Sequence, residues 1–161
     1  SLYTLADVIN AGCRDGELDV RGISHRGYFA SITDFKSYHD ANMDLIDYKT
    51  ATDLFHDNWP IYTRTNNSCP THYFDTANVS NSVISNGSMI EGTVENSIVG
   101  RGCTIKKGCV IKNGVVLADC TIGENVHIEN LVVDKHAKIT HAKEIIRPAD
   151  EPGYIKRNDT L

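Results

Sequence analysis

The chain has 161 residues with 16 Lys and Arg against 21 Asp and Glu, a formal charge of -5, and 40 % hydrophobic residues. That size suits one ordinary domain, or a repeat array with a smaller piece attached, and the dispersed cations speak against a nucleic-acid partner. Five cysteines without a Cys-x-x-Cys argue against a disulfide framework or a zinc site, and the start Ser1-Leu2-Tyr3-Thr4 has no signal-peptide or membrane-span character. A cytoplasmic chain cut from a longer protein, with no membrane partner, is the expectation.

Residues 1–50 read as mixed helix and strand. Leu5, Val8 and Ile9 share a helical face behind a Thr4 cap, and Gly12 is placed to end that helix. Leu18 and Val20 alternate with charged neighbours, as in an exposed strand. Asp34 is positioned to cap a second helix whose buried stripe is Phe35, Tyr38, Asn42 and Leu45, with Met43 and Ile46 at its margins. Residues 51–78 form a packed linker in which Trp59 and Phe74 are expected to cover the open end of a repeat array beginning at 79.

From 79 to 147 the grammar is a hexad. Val99, Ile105, Ile111 and Leu117 keep a step of six, and Ile122 to Ile128 and Val133 to Ile139 to Ile145 continue it after two one-residue shortenings. Cys103, Cys109, Val115, Cys120, Val126 and Ala137 occupy the slot two residues earlier, which makes the three cysteines reduced, buried thiols. A longer echo at Asn81, Asn96, Asn113 and Asn130 has steps of fifteen, seventeen and seventeen residues, one circuit each. A parallel β-helix satisfies both periods, because one circuit of three short strands cannot bury its own apolar edge and stacked circuits can. Asn86-Gly87 and Asn113-Gly114 are hairpin dipeptides in other settings, but neighbours that keep a period of six override that reading. The glycines at 87, 92, 100, 102, 108, 114 and 123 are placed at corners, where positive φ is often needed. One residue of each pair Val115-Val116 and Val132-Val133 should point outward, making them candidates for an oligomer interface. Residues 148–161 form a tail in which Lys156 and Arg157 are candidate contacts for an allosteric phosphate, the alternative being a solvated tail.

The order Gly27-Tyr28-Phe29, a capped helix containing Ala41-Asn42-Met43-Asp44-Leu45, Asn58-Trp59-Pro60-Ile61, then hexads, resembles the C-terminal part of bacterial glucose-1-phosphate adenylyltransferase, also called ADP-glucose pyrophosphorylase. The resemblance implies a left-handed coil preceded by the end of a nucleotidyltransferase α/β domain, in an enzyme that makes ADP-glucose for glycogen synthesis. Catalytic members carry Gly-Tyr-Trp-Arg-Asp-Val-Gly-Thr where this chain has Gly27-Tyr28-Phe29-Ala30-Ser31-Ile32-Thr33-Asp34. Ala30 thus replaces the Arg and Ser31 the Asp that helps hold magnesium, and Asp34, as a helix cap, is poorly free to substitute. Losing a metal carboxylate costs most of a nucleotidyl-transfer rate. The departure, with the ending Pro152-Gly153-Tyr154-Ile155-Lys156-Arg157, is similar to the D-type, regulatory or non-catalytic subunit of that enzyme, implying a catalytic subunit as partner, with magnesium and ATP belonging to the latter. A homo- or hetero-oligomer through the coil is expected, with no catalytic residue, metal or cofactor in this chain. The competing class is a hexapeptide-repeat acyltransferase with a histidine base, for which His127, His136 and His141 are the candidates.

Overall fold

In the computed structural model residues 4–56 and 58–161 are described; residues 1–3, where the expected cut falls, and Asp57 in the linker lie outside them. Among the described residues there are three helices and three parallel sheets. The helices are α1 (Leu5–Arg14), α2 (Phe35–Asp44) and α3 (Tyr48–Leu54). Strands are numbered in chain order. The first sheet stacks β1 (His72–Tyr73), β4 (Met89–Ile90), β7 (Thr104–Ile105), β10 (Thr121–Ile122) and β13 (Lys138–Ile139). The second stacks β2 (Asn78–Ser80), β5 (Thr93–Glu95), β8 (Val110–Lys112), β11 (His127–Glu129) and β14 (Glu144–Ile146). The third stacks β3 (Val83–Ile84), β6 (Ile98–Val99), β9 (Val115–Val116), β12 (Leu131–Val133) and β15 (Gly153–Ile155). Each strand pairs with those one circuit away, always in parallel, so the solenoid is a parallel β-helix.

One aliphatic per strand points into the coil. Ile90, Ile105, Ile122 and Ile139 form one column, Val94, Ile111 and Ile128 a second, and Val99, Val116 and Val133 a third, all 0 or 1 % exposed. Burying one such side chain contributes about 1.5–3 kcal/mol. The third column corrects the hexad count. Val116 is the inward residue, paired with Val99 and Val133, whereas Leu117 is only half-buried. The shortening therefore falls one strand earlier than the sequence suggests, at Asn113-Gly114, where Asn113 takes φ 48° and turns the corner with one residue fewer. Asn81, Asn96 and Asn130 do the same at φ 42°, 44° and 54°.

The corners are thus built mainly by asparagine. Of the seven corner glycines only Gly87, Gly102 and Gly108 have positive φ. Gly92 is needed for a different reason: a Cβ there would lie 2.8 Å from the Cys109 carbonyl oxygen of the next circuit.

Both ends of the coil extend past the 79–147 span. Strand β1 begins at His72, and β15 adds 153–155 to the third sheet, with Lys138 bridged to Thr160 below it. The segment after 147 is therefore largely part of the stack. At the opposite end the inward residues Ala77, Val79 and Ile84 are only half-buried. Trp59 does not cover that circuit; it is 79 % exposed and lines a hollow with Tyr28, His25 and Ile61. Phe74, directly after β1, packs edge-on against His72 and stays 40 % exposed.

Before the coil, Thr4 caps α1 in a capping box with Asp7. Gly12 lies inside that helix; the chain turns at Gly16 (φ 74°), and the Gly16 and Glu17 amides return to the Cys13 and Gly12 carbonyls, a Schellman ending. Leu18 continues the turn by lying over Gly12, so 18–20 is not a strand. Among the described residues no helix is long and apolar enough to cross a membrane.

Candidate functional site

Gly27-Asp34 is an irregular segment leading into α2. Tyr28 is half-buried, and its hydroxyl donates to Asp44 Oδ2 at 3.0 Å, at the far end of α2. Phe29 is 79 % exposed, and Ala30, Ser31 and Ile32 are exposed as well. Asp34 caps α2: its Oδ1 accepts the Ser37 amide at 2.7 Å while Ser37 Oγ accepts the Asp34 amide at 3.0 Å. The Ser37 amide, and then its side chain, hold the Asp34 carboxyl below the ordinary carboxylate range.

Beside the segment lies a hollow of about 310 Å³ walled by Tyr28, Phe29, Ile32, Asn42, Leu45 and Leu54, with no charged side chain in its lining. Magnesium and nucleotide phosphates require carboxylate oxygens and positioned cations. Within the segment Ser31 offers a neutral hydroxyl, Ala30 no polar side chain, and the Asp34 carboxylate accepts the Ser37 amide; the neighbouring carboxylate of Asp44 accepts the Tyr28 hydroxyl. Among the described residues no cluster of three His, Cys, Asp or Glu side chains suits a metal ion.

Helix α2 carries this segment to the coil. Its buried residue is not one of the expected stripe but His39, 5 % exposed, whose Nε2–H donates to the Asn113 carbonyl at 2.9 Å. Tyr38, Asn42 and Leu45 flank it half-buried, and Phe35 is 37 % exposed. The helix lies over β9, and the outward Val115 and Val132 are 0 and 1 % exposed. The valine pairs expected to form an oligomer face are therefore covered within the chain. A spacing of 35, 38, 39, 42 and 45 marks the seat of the helix, but an imidazole at its centre reads as surface until the carbonyl it meets is known.

A second cluster occupies one corner of the coil. Arg64 from the linker, Arg101 from one circuit and Lys135 from two circuits later line a polar hollow of about 350 Å³ with Thr65 and Asn66. The Arg101 guanidinium donates to the Arg64 carbonyl at 3.1 Å, tying linker to coil. The turn after Lys156 and Arg157 stacks on the Lys135 backbone, the Asn158 amide donating to the Lys135 carbonyl at 3.2 Å, but neither Lys156 nor Arg157 lines the hollow. Next to Lys135, Asp134 Oδ2 accepts the Tyr154 hydroxyl at 2.7 Å, which lowers its carboxyl and raises the phenol.

The histidines are dispersed. His127 Nε2 lies 2.7 Å from Glu129 on the outer face of the second sheet, His136 lies 3.6 Å from Asp119 at a corner, and His141 meets the Thr140 hydroxyl.

Comparison with known proteins agrees with this architecture. A model of the family described as GlmU-like, C-terminal hexapeptide matches residues 70–151. Glucose-1-phosphate adenylyltransferase of Bacillus mycoides is 36 % identical over 122 residues, 76 % of this chain and 32 % of the relative. The enzymes named the same in Bacillus cereus and Bacillus thuringiensis are 36 and 35 % identical over the same shares. The chain thus spans about a third of the length of these relatives and is homologous to their C-terminal region. By its repeat, its parallel coil and this match, the chain belongs to the GlmU-like, C-terminal hexapeptide family.

Proposed function

We propose that the chain is the assembly and regulatory portion of a glucose-1-phosphate adenylyltransferase of glycogen biosynthesis, catalytically silent, and partnered in the cytoplasm by a catalytic subunit of the same enzyme. The observation that carries this reading is the Gly27-Asp34 segment, which resembles a sugar-phosphate motif in sequence while Ala30 and Ser31 supply no charge and Asp34 caps α2. Nucleotidyl transfer needs charge at that place. Magnesium and ATP belong, in this reading, to the catalytic partner.

Two surfaces support the same proposal. Among the described residues most exposed large hydrophobics precede the coil, and those within residues 1–50, among them Leu5, Val20, Ile23, Phe29 and Ile32, suit the end of an α/β domain whose remainder packs there. The corner at Arg64, Arg101 and Lys135 gathers cations in a chain of net negative charge and suits a phosphate-bearing effector, which Lys156 and Arg157 of the following turn would approach.

Sedimentation of the full-length parent with the catalytic subunit tests the pairing. The proposal expects one mixed species of fixed stoichiometry; two independently sedimenting species would refute it.

A further inference from the structure

Two corners of the coil are built from an asparagine followed by a glycine, Asn86-Gly87 and Asn113-Gly114. This pair is the one in which the following backbone nitrogen reaches the side-chain amide carbon with least obstruction, because glycine has no side chain. The fold treats the two pairs oppositely. At Asn113 every participant is held: its Oδ1 accepts Asn96 Nδ2–H at 2.7 Å, its carbonyl accepts His39 Nε2–H, and the buried Gly114 nitrogen donates to Ser97 Oγ at 3.0 Å. At Asn86 the side chain is exposed, and among the described residues neither it nor the Gly87 nitrogen makes a hydrogen bond. A bulkier residue after Asn86 would hinder the attack, but the turn refuses one. Gly87 has φ 81°, and a Cβ there would lie 2.9 Å from Ser68 Cβ.

The linker clasps this same turn. Ser68 lies against Gly87, Thr71 Oγ1 donates to the Ser85 carbonyl at 2.6 Å, and the Ser88 amide donates to Thr71 Oγ1 at 3.3 Å. From the other side the Asn86 carbonyl accepts the Gly102 amide of the next circuit at 3.2 Å.

We propose that Asn86 is a site of spontaneous hydrolytic modification, converted to aspartate and isoaspartate while Asn113 is spared, and that the isoaspartyl form releases the linker clasp at 68–71. The Gly87 nitrogen, giving up its proton, attacks Asn86 Cγ; the bond from Cγ to the carboxamide nitrogen breaks, and ammonia leaves with that proton. Water then opens the resulting five-membered imide. Cleavage between the Gly87 nitrogen and Cγ gives aspartate, and cleavage between that nitrogen and the Asn86 main-chain carbon gives isoaspartate. In the second product the main chain runs through Cβ and is one methylene longer. The former acceptor of the Gly102 amide becomes a free carboxylate, and the tight turn under Ser68 and Thr71 is lost.

The test incubates the chain at mildly alkaline pH, folded and in urea, and follows each asparagine by peptide mapping for the mass gain of an amide becoming an acid. Relative to its own rate in urea, Asn113 should slow by roughly tenfold or more in the folded chain, and Asn86 should stay within about threefold. Asn86 slowed as much as Asn113, or Asn113 converting as fast as in urea, would overturn the site. The isoaspartyl form, separated by chromatography, is then compared by amide hydrogen exchange with Asn86→Asp, which carries the charge without the added methylene. Faster exchange of the His72 and Ser88 amides is expected in the isoaspartyl form and not in Asn86→Asp, with the Ile128 amide protected in both. Unchanged exchange in the isoaspartyl form, equal acceleration in Asn86→Asp, or lost protection at Ile128 would overturn the release of the clasp.

Discussion

Single residues decide which parts of the coil are chemically silent. Cys103, Cys109 and Cys120 are 1, 0 and 1 % exposed, and burial pushes the Cys109 thiol up to about 12. The adjacent Cys120 thiol, and then burial, push Cys103 up as well. Cys13 and Cys69 are exposed. Maleimide labelling of the native chain near pH 8 should therefore modify two thiols and spare three, counted by mass; modification of a coil cysteine would show that the stack opens readily. The inward slot of these three was legible, since small residues recur there at the hexad spacing. His39 was not: nothing in Tyr38-His39-Asp40 reveals that a corner carbonyl 74 residues later is its partner. Replacing His39 by Ala leaves that carbonyl without its donor and should cost about 1–3 kcal/mol in urea unfolding.

Elements are set by their ends. The Asp34 box starts α2 as the sequence indicates, and the ending of α1 moves from Gly12 to Gly16 because a Schellman turn needs the positive φ after the helix and not within it. The first hexad shortening lies one strand earlier than the aliphatic count places it for a related reason: Asn113 adopts a left-handed conformation and saves a residue, which an aliphatic count cannot see. The Asp34 cap also gives α2 a pH response. Its folded carboxyl lies below the unfolded value near 3.9, so the stabilisation is complete above about pH 4 and is lost as pH falls through the lower folded value. Exchange of the first α2 amides should accelerate on acidification below pH 4, and in Asp34→Ala should be fast and pH-independent of this group, while the Ile128 amide in the coil stays protected. Equal acceleration in both places would mean that the cap is not what holds α2.

The whole molecule is a stack with a helix strapped to one side. Stability should be graded along the stack, because inner circuits have neighbours on both sides and the first has one. Ile111→Ala, at a fully buried position, is expected to cost about 2–5 kcal/mol, and Ile84→Ala, at a half-buried one, distinctly less; equal losses by denaturant unfolding would contradict the grading. Val115→Asp places a charge under α2 and should release the helix while the inward columns remain packed. The coil was legible because its burial repeats with the sequence; the strap was not, because the valines it covers are identical in type to those facing inward. Within Gly27-Asp34 the Asp34 cap was legible, and the structure shows its carboxylate engaged by the Ser37 amide.

The proposed function requires that the Gly27-Asp34 segment support no nucleotidyl transfer. It is tested by ADP-glucose formation from ATP, magnesium and glucose 1-phosphate by a full-length protein containing this chain, alone and mixed with the proposed catalytic subunit. No turnover alone, and an altered rate or effector response in the mixture, is the predicted result. Robust turnover by the parent alone would contradict it.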